Sequence, residues 1–264
     1  MQINKNLKFI IFCFIVFLSF DSHTDDGFSI SAVIETPQVE INGNADDPAI
    51  WFNEVDPSLS IVFGTDKYNG VYSYNLSGDV IGFSKSGSMN NIDLRTLNDN
   101  TYIFTTDSSN NTVNVWVYKN SYLHNKSKEG SFALDKIPHH TSKVNFLAYG
   151  LCGGLSQKDE VIIFVTEAKG PGVQLWKFDD VKLSLLNTFN NSNAYESEGC
   201  VFDDENQKFF ISEENKKGVI RSYSLTNKLL LDNKFRIDDR DGNITGDPEG
   251  LAILKTSKHE GFLI

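Results

Sequence analysis

ADDPAIWFNEVDPSLSIVFGTDKYNGVYSYNLSGDVIGF, residues 45–83, carries the pattern on which the fold turns. It opens on an acidic pair, Asp46-Asp47, that runs into a short apolar strand ending at Trp51. A second apolar run, 61–66, ends on polar residues, and a third, 70–74, follows a turn bearing Asn69 and Gly70. A weaker fourth run lies at 80–83. Short alternating strands broken by turn residues read as antiparallel hairpins.

Working outward, the same unit returns. Its polar opening recurs as NNIDL at 90–94, YGLC at 149–152, EGCVF at 198–202 and DPEGLAI at 247–253. Its second strand recurs as YIFTTD at 102–107, VIIFVTE at 161–167 and FFISEE at 209–214. The third recurs as TVNVWVY at 112–118, GVQLWKF at 172–178 and GVIRSY at 218–223. Four-stranded units every 40 to 60 residues are the mark of propeller blades. The expected fold is therefore all-β, a β-propeller of four-stranded antiparallel blades, with four blades and the start of a fifth. No segment reads as an amphipathic helix. A β-sandwich is the structural rival, but it leaves unexplained why one strand position is polar in unit after unit. Twenty Phe and nine Tyr against two Met agree with sheet. The chain stops at Ile264 within an apolar second strand, GFLI at 261–264. An open blade would expose a strand edge there, so the expectation is a chain truncated at its C-terminus.

Lys5 and Lys8 precede an unbroken apolar run from Phe9 to Leu18. That is shorter than the roughly 20 residues a spanning helix needs. It reads as a secretory signal over 1–22, followed by the propeller domain over 28–264, with an uncleaved anchor as the alternative. Export takes the protein to a secreted or periplasmic location. Cys13 leaves with the signal, and Cys152 and Cys200 remain as one disulfide or as two buried thiols. The formal charge is −11, and about −13 once the signal lysines are gone. Such a surface repels nucleic acid and anionic lipid, which excludes both as partners. It repels phosphate esters too, unless cations intervene.

In a propeller the opening strands line the central channel, so polar openings distant in sequence converge at its mouth. Here they bring Asp46, Asp47, Glu198, Asp247 and Glu249, and the second-strand ends add Glu214 beside Glu213. So many carboxylates around one channel call for cations. An oxygen-only set without His or Cys suits a hard ion, calcium with its 6–8 irregular ligands before octahedral magnesium. Lys67, Arg95 and Lys169 are candidate phosphate contacts among them. Taken singly, each motif has a plainer reading: Asp-Asp-Pro and Asp-Pro-Glu as turns, Glu213-Glu214-Asn215 as a solvated hairpin, the basic residues as surface. Recurrence at equivalent positions favours the site. No nucleophile elbow, P-loop or dinucleotide fingerprint is present.

Six motifs in order carry a family resemblance: ADDPAIW at 45–51, NNIDLR at 90–95, YGL at 149–151, SEGCVFDDE at 197–205, ISEEN at 211–215 and DPEGL at 247–251. From about Asn44 onward the chain resembles the β-propeller phytases, six-bladed calcium enzymes that release phosphate from inositol phosphates. The resemblance implies a calcium-dependent phosphomonoester hydrolase of the 3-phytase type, acting as a monomer on phytate (inositol hexakisphosphate) or another multiply phosphorylated small molecule. Metal-activated water would be the nucleophile. By position, it implies that Asp46 is a cleft calcium ligand and Asp47 belongs to a structural calcium site. Glu198, Glu214, Asp247 and Glu249 would surround the active-site calciums, with Glu198, Glu214 and Tyr149 as the catalytic group. Lys67 and Lys169 would bind phosphate, and the Cys152–Cys200 pair resembles one joining neighbouring channel strands in some members. Three departures remove positive charge or its partners: Tyr68 where a second lysine is usual, Ser109 where an arginine is expected, and Gly170 where an acid follows the lysine. About a blade and a half of the family's chain is also expected beyond Ile264. The competing functional readings are a lactonase-like calcium propeller, which would need a channel histidine that no opening supplies, and a non-catalytic or decayed calcium-binding propeller acting as a scaffold.

Overall fold

The computed structural model describes residues 31–39, 43–192, 194–215, 218–226, 231–238 and 248–264. The expected signal at 1–22 and the candidate ligand Asp247 lie outside the described residues. The chain divides into a unit ending at Val33, of which residues 31–33 are described and irregular, and a unit from Ile34 to Ile264.

Four antiparallel sheets of four strands follow one another in the second unit. The first holds β1 (Ala45–Trp51), β2 (Ile61–Asp66), β3 (Gly70–Tyr74) and β4 (Val80–Ser84). The second holds β5 (Met89–Leu97), β6 (Asn100–Asp107), β7 (Thr112–Lys119) and β8 (His140–Lys143). The third holds β9 (Ala148–Leu155), β10 (Val161–Glu167), β11 (Gly172–Phe178) and β12 (Leu183–Asn190). The fourth holds β13 (Cys200–Asp203), β14 (Lys208–Ser212), β15 (Ile220–Leu225) and β16 (Leu231–Asp238), and a hairpin of β17 (Ile253–Lys255) and β18 (Gly261–Leu263) follows. Within each sheet the strands pair in sequence order, and β1 packs beside β5, β5 beside β9 and β9 beside β13. That is the blade order and the channel wall expected from the repeat.

The cores lie between blades. Trp51, Ile61, Phe63, Ile92, Ile103 and Trp116 close the first interface, and Phe104, Val115, Ile163 and Trp176 close the second. Phe164, Phe202 and Phe209 stack in the third. Because each blade is sandwiched, β3, β6, β10 and β11 are buried on both faces rather than one. Alternation in the third strands thus separates an apolar buried face from a polar one. Asn114, for example, is buried and shares its Oδ1 between Thr112 and Thr141. The outermost strands β8 and β12 show the half-exposed pattern.

One local expectation is corrected. A helix, α1 (Asn120–Lys128), interrupts the second blade. It was not legible because Leu123 is its one buried apolar residue, and it is held instead by polar contacts. Ser127 Oγ donates to the Leu59 carbonyl at 2.6 Å, and His124 Nδ1 meets Asn53 Nδ2 at 3.0 Å. The outermost strand of the same blade, β8, begins at His140 in a polar segment that no apolar run marks.

Cys152 on β9 and Cys200 on β13 form a disulfide with Cα atoms 5.7 Å apart, tying the third and fourth blades at their channel strands. Among the described residues no helix is long and apolar enough to cross a membrane.

Candidate functional site at the channel mouth

The acidic openings reach the channel through a repeated irregularity. The β1–β2 register shifts between Ala45 and Pro48, the β5–β6 register between Met89 and Ile92, and the β9–β10 register across Leu151 and Ala148. Each shift therefore falls on an opening pair: Asp46-Asp47, Asn90-Asn91 or Tyr149-Gly150. An extra residue in a strand breaks the strict up–down alternation and re-aims side chains. Glu198-Gly199, which immediately precede β13, occupy the same place in the fourth blade.

What the bulges aim inward meets in one cluster. Lys67, in the turn after β2, places Nζ 3.0 Å from Asp46 Oδ1 and 3.7 Å from Glu198 Oε1, and 5.8 Å from the centre of the Tyr149 ring. Tyr149 Oη lies 3.0 Å from Glu198 Oε2 and 2.9 Å from Glu214 Oε2. Asn90 Nδ2 donates to Glu198 Oε1 at 3.0 Å. Residues from three blades, Lys67, Asn90 and Tyr149, thus touch a single buried carboxylate at the opening of the fourth, Glu198.

The electrostatics are those of a pocket short of positive charge. Burial pushes Glu214 up to about 7 against the hydrogen bond from Tyr149, with Glu198, Glu196 and Glu249 adding repulsion. Asp46 is likewise raised by burial, with Glu198 and Glu249 adding to the rise and Lys67 opposing it. Burial works against the charge of Lys67, yet its bond to Asp46 and the fields of Glu198 and Glu214 hold its ammonium above the ordinary range. Tyr149 is raised by burial and by the same two glutamates. Its one phenol proton serves one carboxylate at a time, so the second short contact needs a proton on the facing carboxyl.

The other candidates stand elsewhere. Asp47 accepts the Ile92 N–H at 2.9 Å and is pushed up to about 7 by burial, with Asp93 and Asp46 contributing. Glu249 is exposed and joins the cluster through its field on Asp46 and Glu214. Lys169 is exposed at the β10–β11 turn with φ of 60°, its backbone N–H 3.3 Å from Glu196 Oε1. Arg95 is spent between blades: Nε donates to Asp204 at 3.0 Å, and its terminal nitrogens donate to Asp93, the Leu94 carbonyl and the Phe202 carbonyl. Replacing Arg95 by Met is expected to cost about 2–3 kcal/mol, below the 3–5 of a fully buried pair because all three side chains keep some exposure. Denaturant unfolding checks this, and an unchanged midpoint would free Arg95 for another role.

Among the described residues no three His, Cys, Asp or Glu side chains form a ready-made metal cluster. Lys67 and Tyr149 span the oxygens instead. A cavity of about 720 Å³ runs down the axis from this mouth, lined by Asp46, Asn91, Arg95, Glu198, Asp204 and Glu249 among others.

Sequence reasoning missed Asn90 and Glu196 as parts of the cluster, and it missed a set of hydroxyls. Its signal was a doublet at every second-strand end: Thr65-Asp66, Thr106-Asp107, Thr166-Glu167 and Ser212-Glu213. The acids close turns or pair locally. Asp66 and Asp107 accept backbone N–H groups of their hairpins, Glu167 accepts the Gly172 N–H, and Glu213 faces Arg221 at 2.6 Å. Two sequence departures also have local reasons. Ser109 Oγ caps Asp107 at 2.8 Å, and a Cβ on Gly170 would lie 2.2 Å from the Glu167 carboxylate.

Consecutive four-stranded blades around a carboxylate-rich mouth define the chain as an all-β propeller with an oxygen-lined site. Residues 10–264 match the family described as Phytase, and the chain belongs to that family. It is 26% identical over 253 residues to a 3-phytase of Bacillus subtilis (strain 168), covering 90% of this chain and 63% of that relative. The chain therefore spans less than two thirds of the curated relative's length. A solved gluconolactonase from Xanthomonas campestris aligns with a TM-score of 0.52 at 11% identity, over 83% of this chain and 68% of that one. That likeness is one of fold alone.

Proposed function

We propose that this protein is a secreted or periplasmic, calcium-dependent phosphomonoester hydrolase that releases phosphate from phytate. The observation that carries the reading is Glu198, buried at the mouth and touched by Lys67, Asn90 and Tyr149, in a chain of the Phytase family. The donor chemistry fits calcium. Asp46, Glu198, Glu214 and Glu249 offer carboxylate oxygens with no thiolate or imidazole among them, and Lys67 alone cannot balance four acids. Asp247 extends the same opening and is proposed as a further ligand, and Asp47 as part of a separate structural site. Bound calcium supplies the positive charge that draws phosphate oxygens to an acidic surface and offsets charge developing during hydrolysis.

This chain's own residues do the positioning. Asn90 and Tyr149 fix the two oxygens of Glu198, and Tyr149 also orients Glu214. Lys67, on a turn and a quarter exposed, is free to exchange a carboxylate partner for a substrate phosphate. Lys169 lies at an exposed turn from which a neighbouring phosphate can be gripped. A substrate with several adjacent phosphates follows, and neither nucleic acid nor membrane suits so acidic a chain. We take the protein to act as a monomer.

A non-catalytic calcium-binding propeller is the second reading, favoured by exposed Tyr68 and by Ser109, whose hydroxyl is spent on Asp107. Phosphate release from inositol hexakisphosphate separates the two. Release that stops with EDTA and returns with calcium supports hydrolysis. Calcium binding with no release at any concentration supports the scaffold, and release in EDTA contradicts the calcium reading.

A further inference from the structure

The bulged openings leave N–H groups without their regular partners in the sheet, and hydroxyls take them up. Thr65 Oγ accepts the Asp47 N–H at 2.9 Å, and Thr106 Oγ accepts the Asn91 N–H at 3.2 Å. Each hydroxyl then donates onward to the next blade: Thr65 to the Asn90 carbonyl at 2.7 Å, and Thr106 to the Tyr149 carbonyl. In the fourth blade Ser212 Oγ lies 3.1 Å from the Gly199 carbonyl and 3.2 Å from that of Glu249. The residues whose carbonyls are held, Asn90, Tyr149 and Glu249, are those that touch or act upon the mouth. Thr65, Thr106 and Ser212 are themselves buried and lie behind the pocket surface.

We propose that Thr65, Thr106 and Ser212 are positioning residues: each hydroxyl fixes the opening strand of the following blade and thereby places one side chain of the carboxylate mouth. The third blade provides an internal control. Thr166 holds the equivalent position and is buried, yet its hydroxyl has no hydrogen-bond partner among the described residues. Position in the repeat and burial are shared by all four, so any difference in behaviour isolates the bond between blades.

The inference rests on the calcium part of the functional reading for its terbium arm and on the hydrolase part for its turnover arm, and a wild type that binds no terbium would overturn it together with the calcium reading. Thr106→Val, which keeps shape and removes the hydroxyl, is expected to weaken binding of terbium, a calcium probe excited through tyrosine, about tenfold. Thr106→Ser restores it, and Thr65→Val and Ser212→Ala weaken it in the same sense. Thr166→Val is expected to leave terbium affinity within twofold and the melting temperature unchanged or raised, since it deletes an unpaired buried hydroxyl. Turnover of inositol hexakisphosphate, measured on the same variants, should fall in kcat in the order set by terbium. Equal losses in Thr166→Val and Thr106→Val would overturn the proposal, as would wild-type terbium affinity in Thr106→Val, or in Thr65→Val and Ser212→Ala should Thr106→Val not fold. A wild type that binds terbium but releases no phosphate would sink the hydrolase reading alone, leaving the positioning result to stand on the metal arm.

Discussion

Glu198→Gln should reduce phosphate release from inositol hexakisphosphate by at least about 10²-fold, the scale on which a charge-stabilising group acts, while the fold survives. The amide retains the geometry. Its oxygen still accepts from Asn90 Nδ2, and its N–H donates to Tyr149 Oη, which leaves the phenol proton for Glu214. What disappears is one negative charge at the centre of the cluster, and with it a ligand for a divalent cation. Loss of the Lys67 contact is offset by relief of repulsion with Asp46 and Glu214, so stability should shift by no more than about 1 kcal/mol. A single pair of assays, initial rate at saturating calcium and thermal unfolding, reads both halves. Retained turnover would remove Glu198 from the site, whereas lost turnover with collapsed stability would make it a structural residue.

Gly150→Ala should damage the architecture itself. A Cβ at that position would lie 2.1 Å from the Glu198 carbonyl oxygen, a backbone contact that no side-chain rotation relieves, and 2.8 Å from Thr166 Oγ. The fourth blade's opening must retreat, carrying Glu198 away from Asn90 and Tyr149. Overpacking of this kind costs about 3 kcal/mol, which at this size lowers the melting temperature by roughly 6–12 °C. Gly199 meets the Glu249 carbonyl in the same way, at 1.6 Å, so Gly199→Ala should behave alike. A melting temperature within a degree of wild type would show that the openings are not packed against one another.

These glycines also show how much of the molecule was legible. Strands β2, β3, β10 and β11 begin and end where the sequence places them, because apolar runs there stop at turn residues such as Asn69-Gly70. The polar strand β8 was hidden, since the outermost strand of a blade has no buried face to demand a pattern. The bulges were hidden too. An extra residue in one strand is visible only against its partner, and Asp46-Asp47 looks the same in either register. Of the side chains that the repeat drew toward one mouth, Asp46 and Lys67 of the first unit, Tyr149 of the third, and Glu198 and Glu214 of the fourth meet. Arg95 shows the limit of that reasoning. A lone arginine beside a polar opening carries no sign that Asp204, more than a hundred residues later, will reach across to occupy it.

Calorimetric titration of inositol hexakisphosphate into the protein, once with saturating calcium and once in EDTA, tests the central claim most directly. Binding with calcium, its disappearance in EDTA, and its loss in an Asp46→Asn/Glu198→Gln double variant are predicted. Equal binding in EDTA, or undiminished calcium-dependent binding by the double variant, would mean that this cluster of oxygens is not what makes an acidic pocket accept phosphate.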